Sequence, residues 1–237
     1  AETLHDRFRA LEDSPTTTLA FLAGEGVVRV RITVRADDET EAAALLDAEE
    51  ARCRDVLGAL VFGVDDDTLE SVCVGMLAER GLTLAAAESM TGGMVGAWLT
   101  RVPGASAVFR GSAVTYATAV KTALLDVDPT LLDTCGPVSE PVAAAMAAGA
   151  RARLGADVAV AVTGSAGPDL QGSARGEVYL AVDVAGDVQV TRVLLPGDRE
   201  RVRMFATATL LDLLRRRLAA SPSAFTGAAG PGDGPPS

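Results

Sequence analysis

The hydrophobic and polar positions of this chain change period several times, and each change predicts an element. Val27 to Val34 alternates, with Val30, Ile32 and Val34 on one side and Arg29, Arg31 and Thr33 on the other. That period of two predicts a strand with one wet face. Over 39–57 alanines, leucines and acids recur at helical spacing behind Asp37-Asp38-Glu39, which predicts an amphipathic helix. A strand and a helix in so short a stretch predict a small α+β unit over 17–64, behind a polar lead-in over 1–16, helical or loose. Asp65-Asp66-Asp67 then introduces a helix over Thr68–Arg80, closed by Gly81. Acids favour helix starts, so the triplet reads as an N-terminal capping run rather than a metal site.

From Leu82 onward, short apolar runs end in turns rich in glycine and hydroxyls, and helical patterns follow. Strands are predicted at Leu82–Ala87, within Ala107–Tyr116, at Asp157–Val162, and at Glu177–Val184 and Val188–Leu195, the last two antiparallel about Gly186-Asp187. Helices are predicted over Thr91–Arg101, Ala117–Leu125, Ser139–Leu154 and Arg199–Leu218. Such alternation predicts an α/β domain over 65–220, in three layers with helices on both faces of a sheet. The Gly/Pro-rich stretch 221–237 predicts a disordered tail.

Composition sharpens this picture in three places. The 237 residues are 49% hydrophobic, enough for a sizeable core, and their length suits one to two domains. A net charge of −11 has the wrong sign for general binding to nucleic acid. The charge is uneven: residues 1–80 hold 18 acids and 8 bases, the remainder 14 and 13. The second, nearly neutral unit is where an anionic ligand meets less repulsion. Cys53, Cys73 and Cys135 form no CxxC pattern and read as buried thiols of a reducing compartment, the cytoplasm. No apolar run reaches the roughly 18 residues of a membrane span, and no signal-peptide pattern opens the sequence as given.

Candidate chemistry concentrates in two loops and one lysine. Glu88-Ser89-Met90-Thr91-Gly92-Gly93 sits where a strand hands over to a helix, so free backbone N–H groups and a helix dipole are expected there for a phosphate or an oxyanion. A plain N-cap by Ser89 or Thr91 is the simpler alternative. Val162-Thr163-Gly164-Ser165-Ala166-Gly167-Pro168 also follows a strand, at the end where α/β sheets gather ligands. Lys121 is the only lysine beside 20 arginines, and His5, near the N-terminus, is the only histidine. A buried lysine can give up its proton and act as a base, which arginine does not do. No His/Cys/Asp cluster has metal-ligand spacing and no cysteine lies in a loop motif. A hydrolase built from what remains pairs a Ser or Thr hydroxyl with a Lys base. Arg199, Arg201 and Arg203 oppose the dipole at the start of the last helix, so a phosphate or carboxylate partner is expected for at least one. Arg215-Arg216-Arg217 suits a helix C-terminus and reads as structural.

At these residues the sequence resembles the competence/damage-inducible CinA family, in its C-terminal domain, the nicotinamide mononucleotide deamidase. The resemblance covers about residues 82–218 and rests on AAAESMTGG, VPGASAVFRGSAVTYATAVKTALLDV, GPVSEPVAAAMAAGAR, GADVAVAVTGSAGP and GDRERVR, in the family's order. Residues 17–80 resemble, more weakly, the family's small KH-like domain. The large N-terminal domain of full-length CinA is not matched here, so its activity is not carried over. The resemblance implies a CinA C-terminal-like α/β/α fold and hydrolysis of the nicotinamide carboxamide, in pyridine-nucleotide salvage, to nicotinic acid mononucleotide and ammonia.

It further implies a homo-oligomer such as a dimer, a small-molecule nucleotide as partner, and neither a cofactor nor a metal. It matches Ser89, Tyr116, Lys121 and Thr163 to the family's site, and Arg203 to its arginine on the closing helix, with Arg199 the alternative one turn away. Ser89 is then the nucleophile, Lys121 its base and Tyr116 the residue that orients the lysine or relays the proton. Thr91, Gly92, Gly93, Thr163, Gly164, Gly167 and Arg203 are the expected substrate-binding positions, one loop taking the oxyanion and the other the phosphate. Met90 stands where the family usually carries Cys, and Asp169–Gly176 departs from the family's loop ending in Pro-Val-Gly, which bears on substrate preference. The competing expectation is a binding or regulatory module for competence or DNA-damage responses, with a vestigial pocket.

Overall fold

The computed structural model describes residues 6, 11, 17–24, 26–167 and 174–220. The rest of the expected lead-in, the first part of the 169–176 loop and the expected tail lie outside the described residues.

The small unit is a hairpin covered by one helix. β1 (Thr17–Gly24) and β2 (Val27–Val34) pair antiparallel with Leu19 opposite Ile32 and Phe21 opposite Val30. These four pack on Leu11 and on Cys53, Val56 and Leu57 of α1 (Glu39–Leu57). Asp38 caps α1 by accepting from Glu41 N at 2.9 Å, as its acidic start predicts. β1 is not among the sequence-predicted strands; its run Leu19-Ala20-Phe21-Leu22-Ala23 has no polar residue to break the period.

The helix α2 (Leu69–Glu79) is capped by Thr68 and Ser71 in a reciprocal capping box. The acid triplet before it therefore does not cap it. Asp67 instead accepts from Val64 N at 3.0 Å and closes the preceding turn.

The main unit is built on a five-stranded mixed sheet of order β4-β3-β5-β6-β7. β3 (Leu84–Glu88) lies between β4 (Phe109–Val114) and β5 (Val158–Gly164) and runs parallel to both. β6 (Glu177–Val184) and β7 (Asp187–Leu194) continue antiparallel, as the Gly186-Asp187 turn predicts. Every residue of β3 is buried, and so is β5 up to Thr163, which is why both read as unbroken apolar runs.

The two faces differ in side-chain size, and this sets the helix distances. Leu84, Ala86, Val158, Val160 and Val162 face α2, α3 (Met94–Leu99) and α7 (Arg199–Ala220), packing on Leu77, Leu99, Leu210 and Leu214. Ala85, Ala87, Ala159 and Ala161 face the other way, toward Val142, Met146 and Ala147 of α6 (Glu140–Arg153) and Leu125 of α4 (Thr118–Leu125). The small residues let α6 lie close, and a Cβ on Gly149 would stand 2.1 Å from the Leu125 carbonyl oxygen. A further short helix, α5 (Pro129–Cys135), opens on Asp128 and escapes the sequence pattern because it spans only seven residues. Cys53 and Cys73 are buried as expected, but Cys135, at the end of α5, is exposed.

Candidate active site

β3 and β5 are parallel neighbours, so their carboxyl ends fall side by side. Ser89 follows β3 directly, and its backbone N–H donates to the Val162 carbonyl at 3.0 Å, which ties the serine to the end of β5. The chain then turns through Met90 to Gly93 before α3 begins. Gly92 and Gly93 adopt φ of +61° and +98°, a left-handed path that an L side chain resists. Met90 is buried in the core beneath the turn, consistent with its side chain pointing away from the glycines.

Lys121 comes to the serine from α4 on the other side. It is 1% exposed, and its Nζ lies 3.1 Å from Ser89 Oγ while donating to the Thr115 carbonyl at 2.8 Å. Among the described residues no carboxylate pairs with it, and burial draws its pKa down from 10.5 to about 8. A neutral amine has one lone pair. With one N–H held by Thr115, that lone pair is free to accept the serine proton, within the hydrogen-bond reach a general base needs.

The remaining expected residues are distributed around this pair. Tyr116 is exposed, and its hydroxyl accepts from Arg199 Nη1 at 3.4 Å rather than contacting the lysine. The group that orients Lys121 in this structure is the backbone carbonyl of Thr115. Thr163 is buried and donates through Oγ1 to the Pro137 carbonyl at 2.7 Å, fixing the end of β5. Gly164 leaves room for β6, since a Cβ there would stand 2.8 Å from the Glu177 carbonyl oxygen.

Arg203 does not present an open guanidinium. Its Nε and Nη2 donate to the Thr91 carbonyl at 3.3 and 2.7 Å, and its Nη1 pairs with Glu200 at 2.9 Å. It clamps the turn after Ser89. Arg199, one helical turn earlier, lies against Gly167 so closely that a Cβ there would stand 2.3 Å from Nη2.

The expectation of free N–H groups along the whole Thr91–Gly93 turn is corrected. The Gly92 N–H donates to the Ser89 carbonyl at 3.1 Å, and Gly93 donates to the Glu88 carboxylate at 2.9 Å. The N–H groups of Met90 and Thr91, the first two after the serine, have no acceptor among the described residues. The Thr91 hydroxyl is likewise buried without a partner there. Among the described residues no group of three or more His, Cys, Asp or Glu is placed to hold a metal ion, and no helix is long and apolar enough to cross a membrane.

Sequence reasoning singled out neither Glu88 nor Thr115. An acid ending an otherwise apolar, buried strand is a signal that was available for Glu88. Thr115 acts through its main chain, which leaves no mark in the sequence.

A buried lysine against a serine at the strand ends of a mixed α/β sheet defines the class: an α/β-domain protein with a serine–lysine pair at the carboxyl end of its parallel strands. The profile of the CinA C-terminal domain matches residues 66–218, that of the damage-inducible protein CinA KH domain matches residues 2–63, and the chain belongs to the CinA family. It is 50% identical over 225 residues to a CinA-like protein of Frankia casuarinae, covering 94% of this chain and 52% of that protein. A CinA-like protein of Thermosynechococcus vestitus is 44% identical over 213 residues, covering 86% of this chain and 50% of that protein. The chain thus spans about half the length of these relatives. Among solved structures it is similar to a CinA superfamily protein of Klebsiella pneumoniae, with TM-score 0.63 and 31% identity over 64% of this chain and 96% of that one. It is also similar to the competence/damage-inducible protein CihA of Agrobacterium tumefaciens, with TM-score 0.62 and 34% identity over 67% of this chain and 98% of that one.

Proposed function

We propose that this chain hydrolyses a linear carboxamide, nicotinamide mononucleotide being the substrate its family resemblance favours. The observation that carries the proposal is the contact between Ser89 Oγ and a buried Lys121 whose pKa is lowered to about 8. Ser89 Oγ attacks the carboxamide carbon while neutral Lys121 accepts its proton. The same proton passes from Lys121 to the departing nitrogen, and ammonia leaves an acyl-serine. Water, deprotonated by Lys121, then attacks the ester and releases the carboxylate product and free Ser89.

The oxyanion falls to the Met90 and Thr91 N–H groups; the first directly follows the nucleophile, the position that supplies an oxyanion donor in other serine-nucleophile turns. The phosphate falls to Arg199, beside the Gly164–Gly167 loop, because Arg203 is engaged by the Thr91 carbonyl and Glu200. Tyr116, whose hydroxyl accepts from Arg199, stands exposed on the same side.

The test is ammonia release from nicotinamide mononucleotide, with no metal added, by wild type and Lys121→Arg. Release by wild type alone supports the reaction and the need for a deprotonatable group at 121. Equal release by the arginine variant, or none by folded wild type, overturns it.

A further inference from the structure

Beneath the nucleophile turn lies a charged group that the proposed reaction does not use. Glu88 is fully buried, adjacent in sequence to Ser89, and its carboxylate collects four donors. Oε2 accepts from Gly93 N at 2.9 Å and Val95 N at 3.0 Å. Oε1 accepts from Gly96 N at 2.9 Å and Ser112 Oγ at 2.8 Å. Three of these donors belong to the start of α3 and the turn before it, and the fourth lies on β4. The backbone carbonyl of the same residue accepts from Thr115 N at 2.7 Å. Thr115 in turn offers its own carbonyl to Lys121 Nζ.

One residue therefore reaches both halves of the pair. Its side chain anchors the far end of the turn that carries Ser89. Its main chain anchors the residue that holds Lys121. The carboxylate also occupies the positive end of α3, which removes that helix terminus as a place for a substrate phosphate. The packing around it is close: a Cβ on Gly96 would stand 3.2 Å from Ser112 Cβ and 3.6 Å from Glu88 Oε1.

The geometry points to Glu88 as a positioning residue, whose carboxylate holds Ser89 and Lys121 in contact without touching substrate. This role rests on the amide-hydrolysis proposal above for its kinetic consequence, but not for its structural one.

Glutamine is the informative replacement because it keeps shape and removes acceptors. Its one carbonyl oxygen can serve two of the four donors. Ser112 can rotate to accept from the new NH2 group, but the Gly96 N–H cannot, so the start of α3 must shift. Misplacement of reacting groups by about 1 Å can cost on the order of 100-fold in rate. Glu88→Gln is expected to lower kcat by about that factor with KM changed little, whereas Ser112→Ala, which removes one donor of four, is expected to give a smaller loss in the same direction.

Lys121 supplies a second readout that does not depend on activity. As the only lysine, it gives a single resonance when lysine is isotopically labelled. Its titration midpoint near 8 comes from burial, with no carboxylate contact to Nζ among the described residues. Loosening the turn admits water and moves that midpoint upward, more in Glu88→Gln than in Ser112→Ala. A role confined to fold stability would lower Tm in both variants and leave kcat and midpoint at wild-type values, which would overturn the inference. If Glu88→Gln does not fold, Ser112→Ala decides: a reduced kcat with a raised midpoint supports the role, and wild-type values of both refute it. If wild type itself releases no ammonia, the amidase proposal fails, and the Lys121 midpoint in the variants still decides the role of Glu88.

Discussion

The pH dependence of turnover follows from the burial of one lysine and can be worked through in numbers. Only neutral Lys121 can accept the serine proton, and its folded-state pKa is about 8. With that value, the neutral fraction is about one in eleven at pH 7, one half at pH 8 and ten in eleven at pH 9. The value of kcat/KM, which reports the free enzyme, should then rise about fivefold from pH 7 to 8 and less than twofold from 8 to 9. A lysine at its usual position near 10.4 would give a different curve, with about tenfold per pH unit up to pH 9 and about sevenfold from pH 9 to 10. The window begins at pH 7 so that the substrate phosphate, whose second pKa is about 6, is already ionised. Initial rates of ammonia release across pH 7–10 distinguish the two curves. A flat profile, or one that still climbs about sevenfold from pH 9 to 10, would refute the claim that a desolvated Lys121 is the base.

Three further outcomes follow from individual contacts. Lowering the pKa of Lys121 from 10.5 to about 8 implies that holding its ammonium in this site costs about 3 kcal/mol. The unfolded chain binds more protons than the folded one between about pH 8 and 10.4, so wild-type stability rises with pH across that window. Lys121→Met should therefore abolish turnover yet raise Tm at pH 7, with the gain shrinking toward pH 10; a lower Tm at pH 7 would contradict this. Arg199→Ala should raise KM for the phosphorylated nucleotide by about 10-fold or more, the worth of one charge-assisted bond, and leave KM for its dephosphorylated nucleoside unchanged. Gly149→Ala should destabilise the fold by about 2–3 kcal/mol in denaturant titrations, because its Cβ meets the Leu125 carbonyl oxygen at 2.1 Å.

Much of the fold was legible because its signals are local. The alternation in Val27–Val34, the apolar runs of β3 and β5 and the turn at Gly186-Asp187 each declare their element. β1 and α5 were not, since an unbroken apolar run and a seven-residue helix carry no clear period. Thr68 took the helix cap from the acid triplet because its hydroxyl and Ser71 satisfy each other's backbone N–H groups, a pairing that outweighs charge. The mixed direction of the sheet was visible only at its β6–β7 hairpin.

In the candidate site, the serine stood out in its loop and the lysine as the only one in the sequence, and the structure brings them into contact. The tasks of the two arginines were not separable, because four residues on one helix change which guanidinium meets the turn and which meets Tyr116. The availability of N–H groups was misjudged for a related reason. Gly92 and Gly93 do open the turn, but whether their donors face a ligand depends on where the Glu88 carboxylate lies, and that is a tertiary fact.

The most direct measurement concerns the bond the mechanism requires. Residues 81–101 contain Ser89 and are bounded by Arg80 and Arg101 with no basic residue between, so cleavage after arginine releases them as one peptide. Acid quench during the first turnover of nicotinamide mononucleotide, followed by mass spectrometry, should find the substrate's acyl group on that peptide in wild type and not in Ser89→Ala, which should also release no ammonia. Wild-type turnover by Ser89→Ala, or an acyl group on a different peptide, would contradict Ser89 as the nucleophile.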